Sequence, residues 1–146
     1  MKRSQLAALT VVTAAMLSAA AVALRAEPPA TEAATPQPVA VVPGDPVRGR
    51  IVFGACRTCH YPDKGAGHQN GPSLWNIFGR QAGTQEGFAY YSEALKNSGL
   101  VWTPEYLDAW LANPEGFIRG TSMMSLGVPD PQRRADLIAY LMQFRE

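Results

Sequence analysis

Cysteine and histidine are scarce in this sequence, with two of each among 146 residues. The only disulfide that Cys56 and Cys59 could form would close a very small, strained loop of little structural use. A zinc site would have to combine both cysteines with His60 and His68, the only histidines of the chain. His60 follows Cys59 too closely to complete a relaxed tetrahedron easily. The scarcity therefore argues against both interpretations.

An excess of charge is also lacking. Residues 45–146 carry ten basic and ten acidic side chains and no run of Lys or Arg, which argues against a nucleic-acid-binding protein. No pair of alternating strands appears, and no strand-rich pattern precedes Cys56. A thioredoxin-like redox pair would need a βαβ context around its cysteines, so that interpretation is disfavoured.

What the chain does contain is the run Cys56-Arg57-Thr58-Cys59-His60. Two thiols two residues apart, followed directly by histidine, form the C-x-x-C-H signature of covalent haem c attachment. The spacing fits the chemistry, because each thiol adds across one haem vinyl group and the short turn sets the two sulfurs at the separation of the vinyls. The following residue, His60, is then carried under the iron as the proximal ligand.

The first 26 residues are predicted to be a targeting element. A basic start at Lys2-Arg3 precedes the uncharged run Leu6–Leu24, rich in Ala, Val and Leu. A secretory signal peptide would be cleaved at small residues such as Ala21-Val22-Ala23. An uncleaved membrane anchor needs about 17–25 apolar residues, and this run is long enough. Both alternatives export the rest of the chain, with the positive end left in the cytoplasm.

The remainder divides into a linker and one small domain. Residues 27–44 are rich in Pro and Ala, show no helical or strand period, and are predicted to be a semi-extended linker. Residues 45–146 have the size of a single domain. Export of this domain places haem attachment outside the cytoplasm.

The domain is predicted to be all-α, with short helices that lie around one covalently bound haem c. Cap residues, prolines and apolar periodicity indicate where helices begin and end. The four predicted helices are Pro46–Ala55, Tyr91–Ser98, a helix from Thr103-Pro104 that ends before Pro114, and a helix from Asp130-Pro131 through Phe144. Helices this short need packing against something central, and the haem is the candidate.

An electron carrier needs a second axial ligand, and the loop Arg119–Gly127 provides two methionines. Met123 and Met124 are adjacent, so on an extended segment their side chains point in opposite directions. At most one of them should reach the iron. Spacing alone does not choose between them, and methionine often only fills space in a core.

About 100 residues, from Gly44 to Arg145, resemble the class I c-type cytochromes, the family of mitochondrial cytochrome c and its bacterial relatives. The resemblance rests on an ordered series of motifs: Gly49-x-x-x-Phe53, the C-x-x-C-H run, Lys64-Gly65-x-Gly67-His68, Gly71-Pro72-Ser73-Leu74, Phe78-Gly79-Arg80, Ala82-Gly83-Thr84, Lys96-Asn97-Ser98-Gly99, Trp102, Leu111-Ala112-Asn113-Pro114, Gly120-Thr121-x-Met123 and Asp136–Leu141. It implies the small cytochrome c fold. It also implies that Met123, at the end of the Gly-Thr-x-Met run, is the distal ligand.

The resemblance implies further roles around the haem. The Pro72 carbonyl would accept the Nδ1–H of His60 and so fix the orientation of the ring. Arg80, Tyr91 and Trp102 would donate to the haem propionates; from the residues alone, they would be a surface arginine and two packed aromatics. The resemblance places four residues at the crossing of the first and last helices: Gly49, Phe53, Leu137 and Tyr140.

Three positions depart from the mitochondrial pattern. Trp110 stands where a tyrosine lies near the Met ligand, Ser125 replaces an aromatic near the exposed haem edge, and Arg119 replaces a proline. The lysines that ring the haem edge are mostly absent. This argues against strongly salt-dependent docking to an acidic partner.

One-electron transfer is the leading functional interpretation. With His60 and Met123 bound to iron, no coordination site remains for a substrate, so we expect an electron carrier rather than an enzyme. Its partners would be redox proteins of the periplasm, such as a respiratory complex, an oxidase or a dehydrogenase, bound transiently. Two alternatives remain: a ligand-binding or peroxidatic haem protein with a labile Met ligand, and a haem subunit of a larger respiratory or dehydrogenase complex.

Overall fold

A computed structural model describes residues 42–146. The predicted targeting element and nearly all of the predicted linker lie outside the described residues. The elements are α1 (Pro46–Phe53), a 3-10 turn (Cys56–Thr58), α2 (Glu93–Lys96), α3 (Pro104–Ala112), α4 (Pro114–Phe117) and α5 (Pro131–Leu141). Within residues 42–146 the only β pairing is an isolated bridge between Gln81 and Val101. The predicted all-α class is confirmed.

Cap residues and prolines set the start of most helices. Asp45, Thr103, Asn113 and Asp130 each accept main-chain N–H bonds at the start of a helix whose first residue is proline. Proline fits there because the first helical N–H has no partner within the helix, and its fixed φ is already helical. Of the described helices, only α2 lacks this pairing, and the Ser92 side chain caps it instead.

The helix α4 is not among the predicted helices, because the sequence prediction treats Pro114 only as the end of the preceding helix. Asn113 leaves the helical conformation, with φ −161° and ψ 88°, and its side-chain oxygen accepts from the Gly116 N–H at 3.0 Å. The residue that ends α3 is thus also the cap of the next helix.

Three of the predicted helices were too long. α1 ends at Phe53 rather than Ala55, since the chain tightens at Gly54 into the 3-10 turn. α2 is shorter than predicted at both ends, because Ser92 is its N-cap and Asn97 its C-cap. α5 ends at Leu141, three residues before Phe144.

The first and last helices cross at very short range. A Cβ atom placed on Gly49 would lie 1.9 Å from the carbonyl oxygen of Asp136 and 2.7 Å from Cβ of Tyr140. Beside this contact, the Phe53 and Tyr140 rings pack with centroids 5.3 Å apart, and Leu137 is 1% exposed. Glycine is therefore required where the two backbones meet.

A buried carboxylate joins the same two helices. Asp136 accepts from the Asp45 N–H at 2.7 Å, from Nε and Nη2 of Arg48 at 2.8 Å each, and from the Gln132 side chain at 3.0 Å. These bonds, led by that of Arg48, lower the pKa of the Asp136 carboxyl well below its usual range. The network stabilises the crossing by holding the start of α1 against α5.

The hydrophobic core of residues 42–146 lies between α1, α3, α5 and the long loops. Trp110 and Leu111 of α3 are buried, as is Trp102 just before that helix. None of the helices within residues 42–146 has the length and hydrophobicity of a membrane span.

Candidate haem c site

One large cavity, of about 800 Å³, opens between α1, the 3-10 turn, α3 and the loop that follows α4. This volume lies in the range of pockets that hold cofactors and other small molecules. The cavity brings together residues far apart in sequence. Every predicted site residue lines it: Cys56, Cys59, His60, Pro72, Arg80, Tyr91, Trp102 and Met123.

The 3-10 turn presents the two thiols and the histidine to the cavity together. The N–H groups of Cys59 and His60 both donate to the carbonyl oxygen of Cys56, at 3.0 Å and 2.9 Å. This closes the chain tightly and sets both half-buried thiols on the wall of the cavity. Burial raises the pKa of the Cys56 thiol. Both thiols therefore lie on the cavity wall beside His60.

His60 is held in one orientation and one tautomer. Its Nδ1 lies 2.8 Å from the carbonyl oxygen of Pro72, and a carbonyl can only accept, so Nδ1 carries the proton. Nε2 then keeps its lone pair for a metal. Burial lowers the pKa of the His60 imidazole, which favours the neutral form that can bind iron.

Gly71 lets the chain pass close to this ring. A Cβ atom at Gly71 would lie 2.3 Å from Cε1 of His60 and 2.7 Å from Nδ1. A side chain here would push the imidazole away from the Pro72 carbonyl. The glycine in the Gly-Pro pair is therefore required by the packing of His60.

The two methionines occupy different environments, although both side chains border the cavity. Met123 is partly buried and packs against the hydrophobic core, and its N–H donates to the Thr121 hydroxyl at 3.2 Å. Met124 is fully exposed, at 102% of its reference area. Only Met123 is thus held by the protein on the cavity wall.

Arg80, Tyr91 and Trp102 lie on the cavity wall as well. Nη2 of Arg80 donates to the carbonyl oxygen of Trp75 at 2.6 Å, which leaves the other guanidinium N–H groups available. Burial lowers the pKa of Arg80 and raises that of Tyr91. Trp102 is 8% exposed, and its ring meets that of Trp110 edge-on at 5.6 Å.

His68 has a structural role that the sequence analysis did not assign. Its Nδ1 accepts from the Ser73 N–H at 3.0 Å, so its Nε2 donates to the Glu86 carbonyl at 2.8 Å. It joins the segment that positions His60 to a second loop. Both of its nitrogens are engaged, so it is not available as a ligand in a zinc site with His60 and the cysteines.

The residues present fit a haem c. The cavity has free paired thiols on one wall, a neutral oriented imidazole beside them, and aromatic and aliphatic side chains over most of its surface. Zinc and disulfide chemistry would explain the two thiols but not the large apolar space next to them.

Comparison with known proteins agrees with this site. Cytochrome c of Ginkgo biloba is 46% identical over 102 residues, which span 69% of this chain and 89% of the relative. Cytochrome c2 of Rhodopila globiformis is 47% identical over 100 residues, 68% of this chain and 92% of the relative. The chain belongs to the class I c-type cytochromes. The structure of cytochrome cH from Methylobacterium extorquens matches with a TM-score of 0.64 at 39% identity, covering 68% of this chain and 99% of that one. No family model matches the chain.

As a c-type cytochrome, the chain binds one haem c covalently through Cys56 and Cys59, as the C-x-x-C-H run predicted. It is an electron-transfer protein rather than an enzyme. Its described residues have the small cytochrome c fold that the resemblance implied.

Proposed function

We propose that this cytochrome carries single electrons between redox proteins, with His60 and Met123 as the two axial ligands of the haem iron. Bound haem c supplies an iron that gains and loses one electron. The observation that carries the proposal is the contrast between the two methionines on the cavity: Met123 is packed and Met124 is in solvent. A histidine and a methionine both committed to iron would leave no position for a substrate.

The chain supports this role by orienting ligands and limiting water. The Pro72 carbonyl holds the His60 ring, and Gly71 permits that contact. A methionine ligand and an apolar surrounding both favour the reduced state and so raise the potential. Because one proposed ligand follows a hydrogen-bonded turn and the other packs against the core, little reorganisation should accompany electron transfer.

We further propose that Arg80, Tyr91 and Trp102 bind the haem propionates. All three lie on the cavity wall, and each carries a polar N–H or O–H group. Supporting this, the Arg80 guanidinium is half-buried and no salt bridge to it occurs among residues 42–146. A propionate would compensate this charge.

Two neighbouring substitutions test the ligand assignment. Met123→Ala should abolish the near-infrared Met–Fe(III) band, lower the midpoint potential and open the reduced iron to carbon monoxide. Met124→Ala is the matched control and should do none of these. Loss of the band in Met124→Ala alone would move the ligand by one residue.

The site of action that we propose is the periplasmic face of a bacterial inner membrane, with the domain on a tether. The apolar run Leu6–Leu24 and the Pro/Ala-rich residues 27–44 support this. At about 3.1 Å per residue in an extended form, such a linker lets the domain range on the order of 60 Å from the membrane. That reach would serve exchange with a respiratory complex, an oxidase or a dehydrogenase.

Mass analysis of the native N-terminus distinguishes a tether from a cleaved signal peptide. A protein that retains Met1 and is released only by detergent supports the tether. One that begins at Leu24 or Glu27 and appears in the soluble periplasmic fraction contradicts it.

A further inference from the structure

We propose that Arg134 is a positioning residue for the axial methionine: together with Asp108, it holds the loop that carries Met123 against the cavity. The inference rests on the proposed function, in which Met123 binds the iron, and it names what keeps that ligand in position. We define the ligand loop as residues 118–130, between α4 and α5.

The ligand loop is held to the rest of the domain mainly near its ends. From Met123 to Gly127, no hydrogen bond reaches another part of residues 42–146, and the two that occur, at 3.2 Å and 3.1 Å, lie within the loop. Beyond this stretch, the Val128 N–H donates to the carbonyl oxygen of Leu111 at 2.6 Å. The position of Met123 therefore depends on how firmly the ends of the loop are fixed.

Arg134 supplies most of the hydrogen bonds that fix the C-terminal end of the ligand loop. Its Nη1 donates to the carbonyl oxygens of Val128 at 3.0 Å and Pro129 at 2.7 Å. Its Nε and Nη2 donate to the two carboxylate oxygens of Asp108 on α3, at 2.7 Å and 3.3 Å. One planar guanidinium on α5 therefore joins the end of the loop to α3, through a fork of N–H groups that an ammonium group does not have.

We call the pair Asp108 and Arg134 the loop clamp. The side chain of Arg134 is 11% exposed and that of Asp108 is 37% exposed, so loss of the carboxylate would leave a largely buried charge without its partner. Val128 and Pro129, which accept from Arg134, line the cavity, whereas neither residue of the clamp does. The clamp therefore acts on the haem site only through the loop.

The ligand loop also passes very close to the end of α3. Gly127 has a φ of +86°, and a Cβ atom there would lie 2.8 Å from the carbonyl oxygens of both Leu111 and Ala112. The arm of the loop that leads to the clamp is thus in contact with the helix that carries the carboxylate of the clamp. We expect the loop and α3 to separate only when the guanidinium releases one of them.

Displacement of Met123 by imidazole in the oxidised, full-length holoprotein tests the proposal. Imidazole takes the axial position only after the methionine has left it, so loss of the near-infrared Met–Fe(III) band reports how often the loop opens. The variants are Arg134→Lys, which keeps the charge and removes the fork, and Asp108→Asn, which keeps the shape and removes the charge. The matched control is Arg48→Lys, because Arg48 also forks onto a carboxylate, that of Asp136, at 2.8 Å and away from the cavity wall.

All four proteins should show the near-infrared band before imidazole is added. We expect imidazole to bind about tenfold faster or more in Arg134→Lys, since each hydrogen bond lost from a charged donor changes an equilibrium constant by about that factor. Asp108→Asn should speed binding by a smaller factor, because the bonds from Arg134 to the loop carbonyls remain. Arg48→Lys should lower the urea midpoint of unfolding and leave the imidazole rate at the wild-type value.

An imidazole rate that Arg134→Lys leaves unchanged would overturn the proposal. An equal rise in Arg48→Lys would also overturn it, because any loss of stability would then open the loop. If Arg134→Lys yields no holoprotein, Asp108→Asn decides alone, and a wild-type rate in that variant overturns the proposal. A wild-type protein without the near-infrared band would instead show that the proposed methionine ligation is wrong, and the clamp proposal would fall with it.

Discussion

Gly49→Ala sets two known effects on stability against each other. Alanine favours a helix over glycine by about 1 kcal/mol, and Gly49 lies within α1. If propensity alone decided the outcome, the substitution would stabilise the holoprotein. The added methyl group, however, would lie 1.9 Å from the carbonyl oxygen of Asp136 and 2.7 Å from Cβ of Tyr140.

The steric clash should outweigh the gain in helix propensity, because the backbone atoms of Asp136 cannot rotate away from the added methyl group. Relief requires α1 and α5 to separate by more than an ångström, in a crossing that also buries Leu137. Overpacking of this kind costs about 1–3 kcal/mol and occasionally more, and contact with backbone favours the upper end. After the helix propensity is subtracted, we expect a net loss of about 2 kcal/mol, or about 8–16 °C in Tm for a domain of this size.

Thermal and urea unfolding of the oxidised holoprotein measure the effect, and Gly54→Ala is the matched control. Gly54 caps the same helix with right-handed helical angles, φ −50° and ψ −38°, and a Cβ there would meet only the Ile51 carbonyl, at 3.1 Å. We expect Gly54→Ala to be neutral or slightly stabilising. Equal stabilisation by both substitutions would refute the close crossing of α1 and α5.

Three further changes probe the fold and the site. Leu137→Ala should cost about 2–5 kcal/mol in urea unfolding because it empties a fully buried position; a loss below about 1 kcal/mol would contradict that burial. The pKa of the Asp136 carboxyl is lower in the folded state than in the unfolded state. Its contribution to the free energy of unfolding is therefore fully present above the unfolded-state pKa and is lost as the pH falls. Asp136→Asn should flatten the acid limb of a plot of the free energy of unfolding against pH. A limb of unchanged slope would show that Asp136 does not cause it. Gly71→Ala should displace the His60 ring and alter the haem absorption spectrum, because the added Cβ would lie 2.3 Å from Cε1 of His60. An unaltered spectrum would show that the chain at Gly71 does not pass this close to the ring.

Helix starts were predictable from the sequence because their signals are local. A cap residue followed by proline satisfies the free N–H groups of the first turn wherever it occurs. This holds for Asp45, Thr103 and Asp130. Asn113-Pro114 carries the same signal, but the sequence prediction treats Pro114 only as the end of α3 and therefore omits α4. Helix ends were less predictable, since the close of α1 depends on the 3-10 turn that follows it.

The site was predictable only in part, for a related reason. The C-x-x-C-H run encodes attachment within five residues, so it identifies the cofactor without knowledge of the fold. The choice between Met123 and Met124 depends on which side chain the rest of the chain covers, and adjacent residues in a loop give no period to decide it. The role of His68 joins residues 18 positions apart, at 2.8 Å from Glu86, and no local pattern predicts such a contact.

Addition of carbon monoxide to the reduced, full-length native protein tests the central claim most directly. If His60 and Met123 both bind the iron, no axial position is open, and the absorption spectrum should not change. Rapid formation of a carbon monoxide complex by the unmodified protein would mean an open or labile position. It would contradict the account of a dedicated electron carrier in favour of a ligand-binding or peroxidatic haem protein.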